Sequence, residues 1–260
     1  MGFYKEREIA ENLAIACRVM GAYDMTEGAT GHVSYRIEGT DTMLIKGKGP
    51  DQAGLRYTRP RDIIKVDFKA DMVEGPDGLQ PPSESFLHIW IYKLRPEVKS
   101  VVHMHPEHAV LLGITGKDIY PVYGPYRSGG ANLARKGVPV YPDNRTIQTN
   151  EQGKAFAECM GDKDVALMAG HGIATAGDCI ERSSINALNL ETLCRTLYKA
   201  YLVGTPRRIP EDEFRGPSAE RDGPRKRGSA GGEEGLMANW RYHVMRAEDI
   251  LGRRVERDDD

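Results

Sequence analysis

The chain has 260 residues, with 36 lysines and arginines against 38 aspartates and glutamates, so it has neither the basic field of a nucleic-acid binder nor the acidic excess of a solvating tail. No stretch of the sequence approaches the roughly 18 consecutive apolar residues that a membrane span needs. What remains is one α/β domain over 1–260 that can bury a sizeable core and act on a small molecule.

Ile9, Leu13, Ala14, Cys17 and Met20 recur at helical spacing, which predicts an amphipathic helix over 5–21 closed by Gly21. Its mixture of acids and bases lacks the uninterrupted apolar run of a signal peptide. Cys17, Cys159, Cys179 and Cys194 are widely spaced with no CxxC pair, as expected of reduced thiols in a cytoplasmic protein. Two short strands follow, His32 to Ile37 and Thr42 to Lys46, and then a third, Ile63 to Phe68.

Gly and Pro punctuate DMVEGPDGLQPP, which delivers the chain to a helix from Ser83, its N-cap, to Leu94. A strand led by Val101 and Val102 precedes a short helix around Ala109 to Ile114. YPVYGPYRSGGANLARKGVPVYP reads as loop, 151–160 as helix, Asp164 to Thr175 as one buried strand, and Ile180 to Val203 as a long helix. Residues 204–234 are rich in Gly, Pro and charge and predict a mobile loop, including the solvated run Arg225-Lys226-Arg227. A C-terminal helix over 235–253 carries Trp240, Tyr242 and Met245. Because the strands and helices interleave without a βαβ rhythm, the pattern predicts a three-layer α/β/α fold with a mostly antiparallel central sheet.

The chemistry concentrates in SVVHMHPEH. Side chains at i and i+2 of a strand share a face, so His103 and His105 can grip one metal ion, although a strand can also carry two imidazoles simply as hydrogen-bonding groups. Their company favours the metal: Pro81-Pro82-Ser83-Glu84 lies upstream and Gly170-His171-Gly172 downstream. Three imidazoles from two strands, with a carboxylate from a helix start, supply a catalytic metal's donors and leave positions open. His108 is the rival third ligand, but beyond Pro106 it should have left the strand, so His171 is preferred.

These segments, with TGHVSYR at 30–36 and LMAGHGIATAGDCIE, resemble the class II aldolase/adducin family over roughly residues 5–203. The resemblance implies one divalent metal ion per chain on His103, His105 and His171, zinc or manganese first, with iron and cobalt also compatible. It implies an acid/base role for Glu84 and a homo-oligomer, a tetramer, with sites at subunit contacts.

Two departures bear on the substrate. Gly31-His32 stands where sugar-phosphate members usually have Asn in GN-V-S, and Pro82-Ser83 replaces a serine pair. Proline offers a phosphate neither hydroxyl nor N–H. The pattern is closer to the branch that decarboxylates hydroxylated aromatic or pyridine carboxylates. Arg127 and Lys46 are candidates to anchor a second carboxylate, with His32, Ser83 and Tyr242 as further substrate contacts. His88 reads as a structural partner inside its helix. The rival readings are an aldolase or epimerase on a hydroxy-carbonyl substrate, an Fe(II) oxygenase on the same scaffold, and an adducin-like interaction domain.

Overall fold

In the computed structural model, residues 2–124, 128–215 and 232–255 are described. The strands are β1 (His32–Arg36), β2 (Thr42–Lys46), β3 (Ile63–Asp67), β4 (Met72–Glu74), β5 (Ser100–Met104), β6 (Val140–Tyr141), β7 (Val165–Met168) and β8 (Gly172–Gly177). They form one sheet in the order β4-β3-β2-β1-β5-β8-β7-β6. Each neighbouring pair is antiparallel except β6 with β7, which is parallel.

Alternation along the strands divides the core in two. On one face Val33, Leu44, Val102, Leu167 and Ile173 pack under α1 (Gly2–Ala22), α3 (Glu107–Thr115), α4 (Ser128–Arg135), α6 (Ile180–Val203) and α7 (Glu233–Leu251). On the other, Met43, Ile45, Val101, Ala174 and Ala176 pack under α2 (Ser85–Leu94) and α5 (Asn150–Met160). This is the expected α/β/α sandwich around a mostly antiparallel sheet. β5 sits between β1 and β8 with all five residues buried, so whatever it carries toward α2 is held on the most enclosed strand.

Four local expectations are corrected. Asp164 to Thr175 is not one strand: Gly170 adopts φ +68°, the left-handed conformation glycine tolerates, and turns the chain into the antiparallel β7–β8 hairpin with His171 in the turn. The second helix begins at Ser85 with Glu84 at its N-cap, and Ser83 does not cap it; the Ser83 hydroxyl instead accepts from Lys48 at 2.8 Å. Within stretches read as loop or punctuation the chain forms α4 and the short edge strands β4 and β6, which periodicity over two or three residues cannot reveal.

The first part of the expected mobile loop is tied down. Arg208 bridges to Val122, the Tyr120 hydroxyl donates to the Pro206 carbonyl at 3.0 Å, and Glu211–Arg215 form a 3-10 turn held by Arg135 on Glu211. Stacking of the Arg207 and Arg208 guanidinium groups on Tyr123 and Tyr120 explains why so polar a sequence docks. The Arg225-Lys226-Arg227 run lies outside the described residues. Among the described residues no helix is long and apolar enough to cross a membrane.

Candidate metal centre

Four side chains from separate elements converge on the α2 face of the sheet. Glu84 comes from the start of α2, His103 from β5, His105 from the residue after β5 ends, and His171 from the β7–β8 turn. One ligand-type atom of each lies within 4.8 Å of all the others. His103 Nε2 is 2.9 Å from Glu84 Oε2 and 3.0 Å from His105 Nε2, and His171 Nε2 is 3.5 Å from Glu84 Oε1.

The groups behind these residues decide whether a cation fits. His103 Nδ1 donates to the Ile173 carbonyl at 2.9 Å, and His171 Nδ1 to the Asn144 carbonyl at 3.0 Å. A carbonyl oxygen only accepts, so both Nδ1 atoms carry a proton, and each ring in its neutral form turns an Nε2 lone pair inward. His105 follows the same logic. Thr30 spends its hydroxyl proton on the Glu27 carbonyl at 2.7 Å, and so meets His105 Nδ1, 3.2 Å away, as an acceptor. Three inward lone pairs and a carboxylate form an acceptor-only set, which a divalent cation satisfies and an apolar or purely hydrogen-bonded core does not.

The electrostatics are consistent with that assignment. Burial alone would raise the Glu84 carboxyl, but the neighbouring imidazoles of His103 and His171 outweigh it and hold it well below the usual carboxylate range. Its Oε1 also accepts from the Ile147 amide at 3.2 Å. His105 is pushed down to about 3, first by burial and then by the charges of His103 and His171. His171 is raised by the neighbouring Glu84, so a cation that takes its Nε2 lone pair releases a proton. A deprotonated carboxylate and neutral imidazoles are the forms a metal takes.

Glu84, His105 and His171 open onto a cavity of about 270 Å³ whose walls include Thr30, His32, Lys46, Lys48, Ser83 and Thr146. His32 therefore sits beside the centre, its ring centroid 5.0 Å from that of His103. Burial pushes His32 well below its ordinary value. Lys46 contributes to the wall, but its ammonium is buried, donates to the Gly47 carbonyl at 3.1 Å and neighbours Cys17 and Asp62. Lys48, exposed beside Ser83, is the cation at the mouth.

Tyr242 is not part of this cavity within its own chain. It sits on α7, accepts from Arg246 at 3.0 Å, and lines a separate cleft of about 1600 Å³ against α4 and α6. Arg127 lies outside the described residues. His108 is likewise elsewhere, paired at 2.6 Å with Glu191, whose carboxylate also accepts from the first amides of α3.

The outer partners Thr30, Asn144 and Ile147 escaped the sequence reading because two of them act through backbone atoms, which leave no residue-type signal. Lys48 was visible as half of the Lys46-Gly47-Lys48 pair. Alternation could not separate the two lysines, which share a parity; what separates them is that β2 ends at Lys46, leaving Lys46 buried and Lys48, beyond the strand, exposed.

The fold and this donor set together define an enzyme-type metal site on a three-layer scaffold. Residues 11–198 match the Class II Aldolase and Adducin N-terminal domain family, to which the chain belongs. It is 37% identical over 186 residues to a 3,4-dihydroxyphthalate decarboxylase of Rhodococcus jostii (strain RHA1), covering 70% of this chain and 76% of that one. It is 34% identical over 249 residues to a 3,4-dihydroxyphthalate decarboxylase of Terrabacter sp. (strain DBF63), covering 94% of this chain and 98% of its relative. The crystal structure of an aldolase II superfamily protein from Pseudomonas syringae superposes with a TM-score of 0.77 at 19% identity, over 94% of this chain and 93% of that one. The expectation of a carbon–carbon lyase, with decarboxylation favoured over aldol cleavage, is borne out.

Proposed function

We propose that the chain removes one carboxylate, as CO2, from a hydroxylated aromatic diacid of the dihydroxyphthalate type. The reading rests on one conjunction. An intact Glu84, His103, His105 and His171 set faces a small cavity with a lysine at its mouth, in a chain similar to 3,4-dihydroxyphthalate decarboxylases along nearly its whole length.

A divalent ion held by His103, His105 and His171 would supply Lewis-acid polarisation of the substrate's hydroxyl and carboxylate oxygens. The protein's own residues do the rest. Glu84, its Oε1 fixed by the Ile147 amide, accepts the proton of the substrate hydroxyl. The ring–carboxylate bond then breaks, its electron pair stays on the ring carbon, CO2 departs, and Glu84 returns the proton to that carbon. Lys48, steadied by Ser83, holds the carboxylate that is not lost, and His32 faces the substrate from the wall. Zinc or manganese suits three imidazoles with open positions. The four free thiols suit a reducing cytoplasm. A homotetramer is the assembly expected.

The test is a release screen on metal-analysed protein over dihydroxybenzoates, hydroxyphthalates and hydroxypyridine dicarboxylates. The expected result is CO2 from a diacid with a hydroxyl beside the lost carboxylate. Aldehyde release from a hydroxy-carbonyl phosphate with no CO2 from any acid would make the chain an aldolase, and a requirement for O2 would make it an oxygenase.

A further inference from the structure

Behind the cavity wall runs a line of four buried polar side chains. His32 Nδ1 is 2.7 Å from His88 Nε2, His88 Nδ1 is 2.7 Å from Ser34 Oγ, and Ser34 Oγ is 2.6 Å from the Tyr92 hydroxyl. The periodicities of the two elements build it. His32 and Ser34 are two apart on β1 and face α2, while His88 and Tyr92 are four apart on α2 and face β1. His88, Ser34 and Tyr92 have no exposed surface, and only His32 reaches the cavity.

Hydrogen-bond bookkeeping gives this line a direction. Ser34 has one hydroxyl proton. If it donates to Tyr92, the Tyr92 O–H must donate elsewhere, and the other group that meets this hydroxyl, the Val101 backbone amide, is itself a donor and gives the O–H nothing to donate to. A buried, unpaired O–H costs about 1–3 kcal/mol, so the opposite direction holds. Tyr92 donates to Ser34, Ser34 to His88 Nδ1, and His88 Nε2–H to His32 Nδ1. His32 is then left with its proton on Nε2, the ring nitrogen without a protein partner among the described residues.

We infer that Tyr92, Ser34 and His88 act as positioning residues that fix His32 as a neutral Nε2–H donor aimed into the cavity, where it binds an anionic oxygen of the substrate. His32 on this reading is neither a base nor a further metal ligand. The identity of the anion as an aryl carboxylate rests on the decarboxylase proposal, but the direction of the line does not.

Nitrogen-15 spectroscopy of histidine-labelled, zinc-loaded protein reads the direction without any turnover, because protonated and unprotonated ring nitrogens resonate far apart. Nε2 should be the protonated nitrogen in both His32 and His88, and their Nδ1 atoms unprotonated. Tyr92→Phe, which keeps the ring and removes the O–H, should shift both residues toward a mixture of tautomers with metal content unchanged. A protonated His32 Nδ1 in the parent protein, or no response to Tyr92→Phe, would overturn the inference.

Calorimetric titration with phthalate, which needs no bond to break, tests the donor. His32→Phe should weaken phthalate roughly tenfold or more, the effect of losing a hydrogen bond to a charged group, while His32→Gln, which places an amide N–H near the Nε2 position, should recover most of it. Equal loss in both variants would remove the donor role. If phthalate binding obeys this pattern while no acid in the screen yields CO2, the donor stands and the decarboxylase reading fails.

Discussion

His103 and His105 approach each other through their Nε2 atoms at 3.0 Å, although His103 has already committed its only proton to the Ile173 carbonyl on the opposite side of the ring. Two lone pairs cannot hold one another at that distance; a shared cation can. His103→Ala, His105→Ala and His171→Ala should therefore each lose most of the bound divalent ion in elemental analysis while keeping native circular dichroism. His108→Ala should keep it, since His108 pairs with Glu191 away from the cluster. Metal loss in His108→Ala alone would refute the assignment of His171.

Gly172 starts the strand against which the two imidazoles rest. A Cβ there would lie 2.5 Å from the Met104 carbonyl oxygen and 2.7 Å from His105 Cδ2. The first neighbour is backbone and cannot swing away, so relief has to come from moving β8 or His105. Gly172→Ala should weaken metal affinity about 10-fold to 100-fold, the range seen when support behind a metal ligand is lost. Competition with a chromogenic chelator measures it, and unchanged affinity would show that the hairpin absorbs the methyl group.

His88 gives stability a pH dependence of known sign. Burial first, and the neighbouring His103 second, push His88 down to about 3, whereas in the unfolded chain it titrates near 6.5. Its contribution is complete above pH 6.5 and is lost as pH falls from there toward 3, because over that window the unfolded chain takes up a proton that the folded chain refuses. The slope is about 1.4 kcal/mol per pH unit for one such group. Urea unfolding at pH 7, 6 and 5 should show stability falling, and His88→Gln should flatten the fall. An equal slope in the two proteins would mean that His88 is not kept neutral.

α7 buries Trp240, Val244 and Ala247 against α1 and α6, yet leaves Tyr242, Met245 and Ile250 exposed along its other side. An apolar stripe of that kind on a closed assembly meets a second copy. Light scattering should give a homotetramer, and removal of the residues after Gly228 should lower activity more than metal content. A fully active monomer would exclude a site shared between subunits.

How much of this was legible in the sequence differs from residue to residue. β2, α6 and the face carrying His103 could be read from periodicity, because long or strictly alternating patterns report which side is buried. The His171 turn could not, since VALMAGHGIATAG is apolar on both sides of Gly170 and a continuous apolar run hides a hairpin. Glu84 was legible as a carboxylate at a helix start, but not its hold on the Ile147 amide 63 residues away, which only the tertiary fold creates. The Ser34 and His88 partnership escaped for the same reason. Each residue alone reads as ordinary core polarity, and only the register of β1 against α2 joins them.

Glu84 occupies a position that permits two jobs, and one substitution separates them. Its Oε2 stands 2.9 Å from His103 and its Oε1 3.5 Å from His171, so it could hold the ion or carry the proton. Glu84→Gln keeps the length and can still accept from the Ile147 amide through its carbonyl oxygen, but it cannot exchange a proton at working pH. Three imidazoles remain in the variant, enough for a catalytic metal, so the ion should stay at close to one per chain. Turnover should fall by about 10²-fold or more, the contribution of a positioned general acid/base, with the KM for the diacid changed far less. Near-normal turnover with full metal content would remove Glu84 from the chemistry. Loss of the ion itself would make Glu84 chiefly a ligand and leave the proton to another group on the cavity wall.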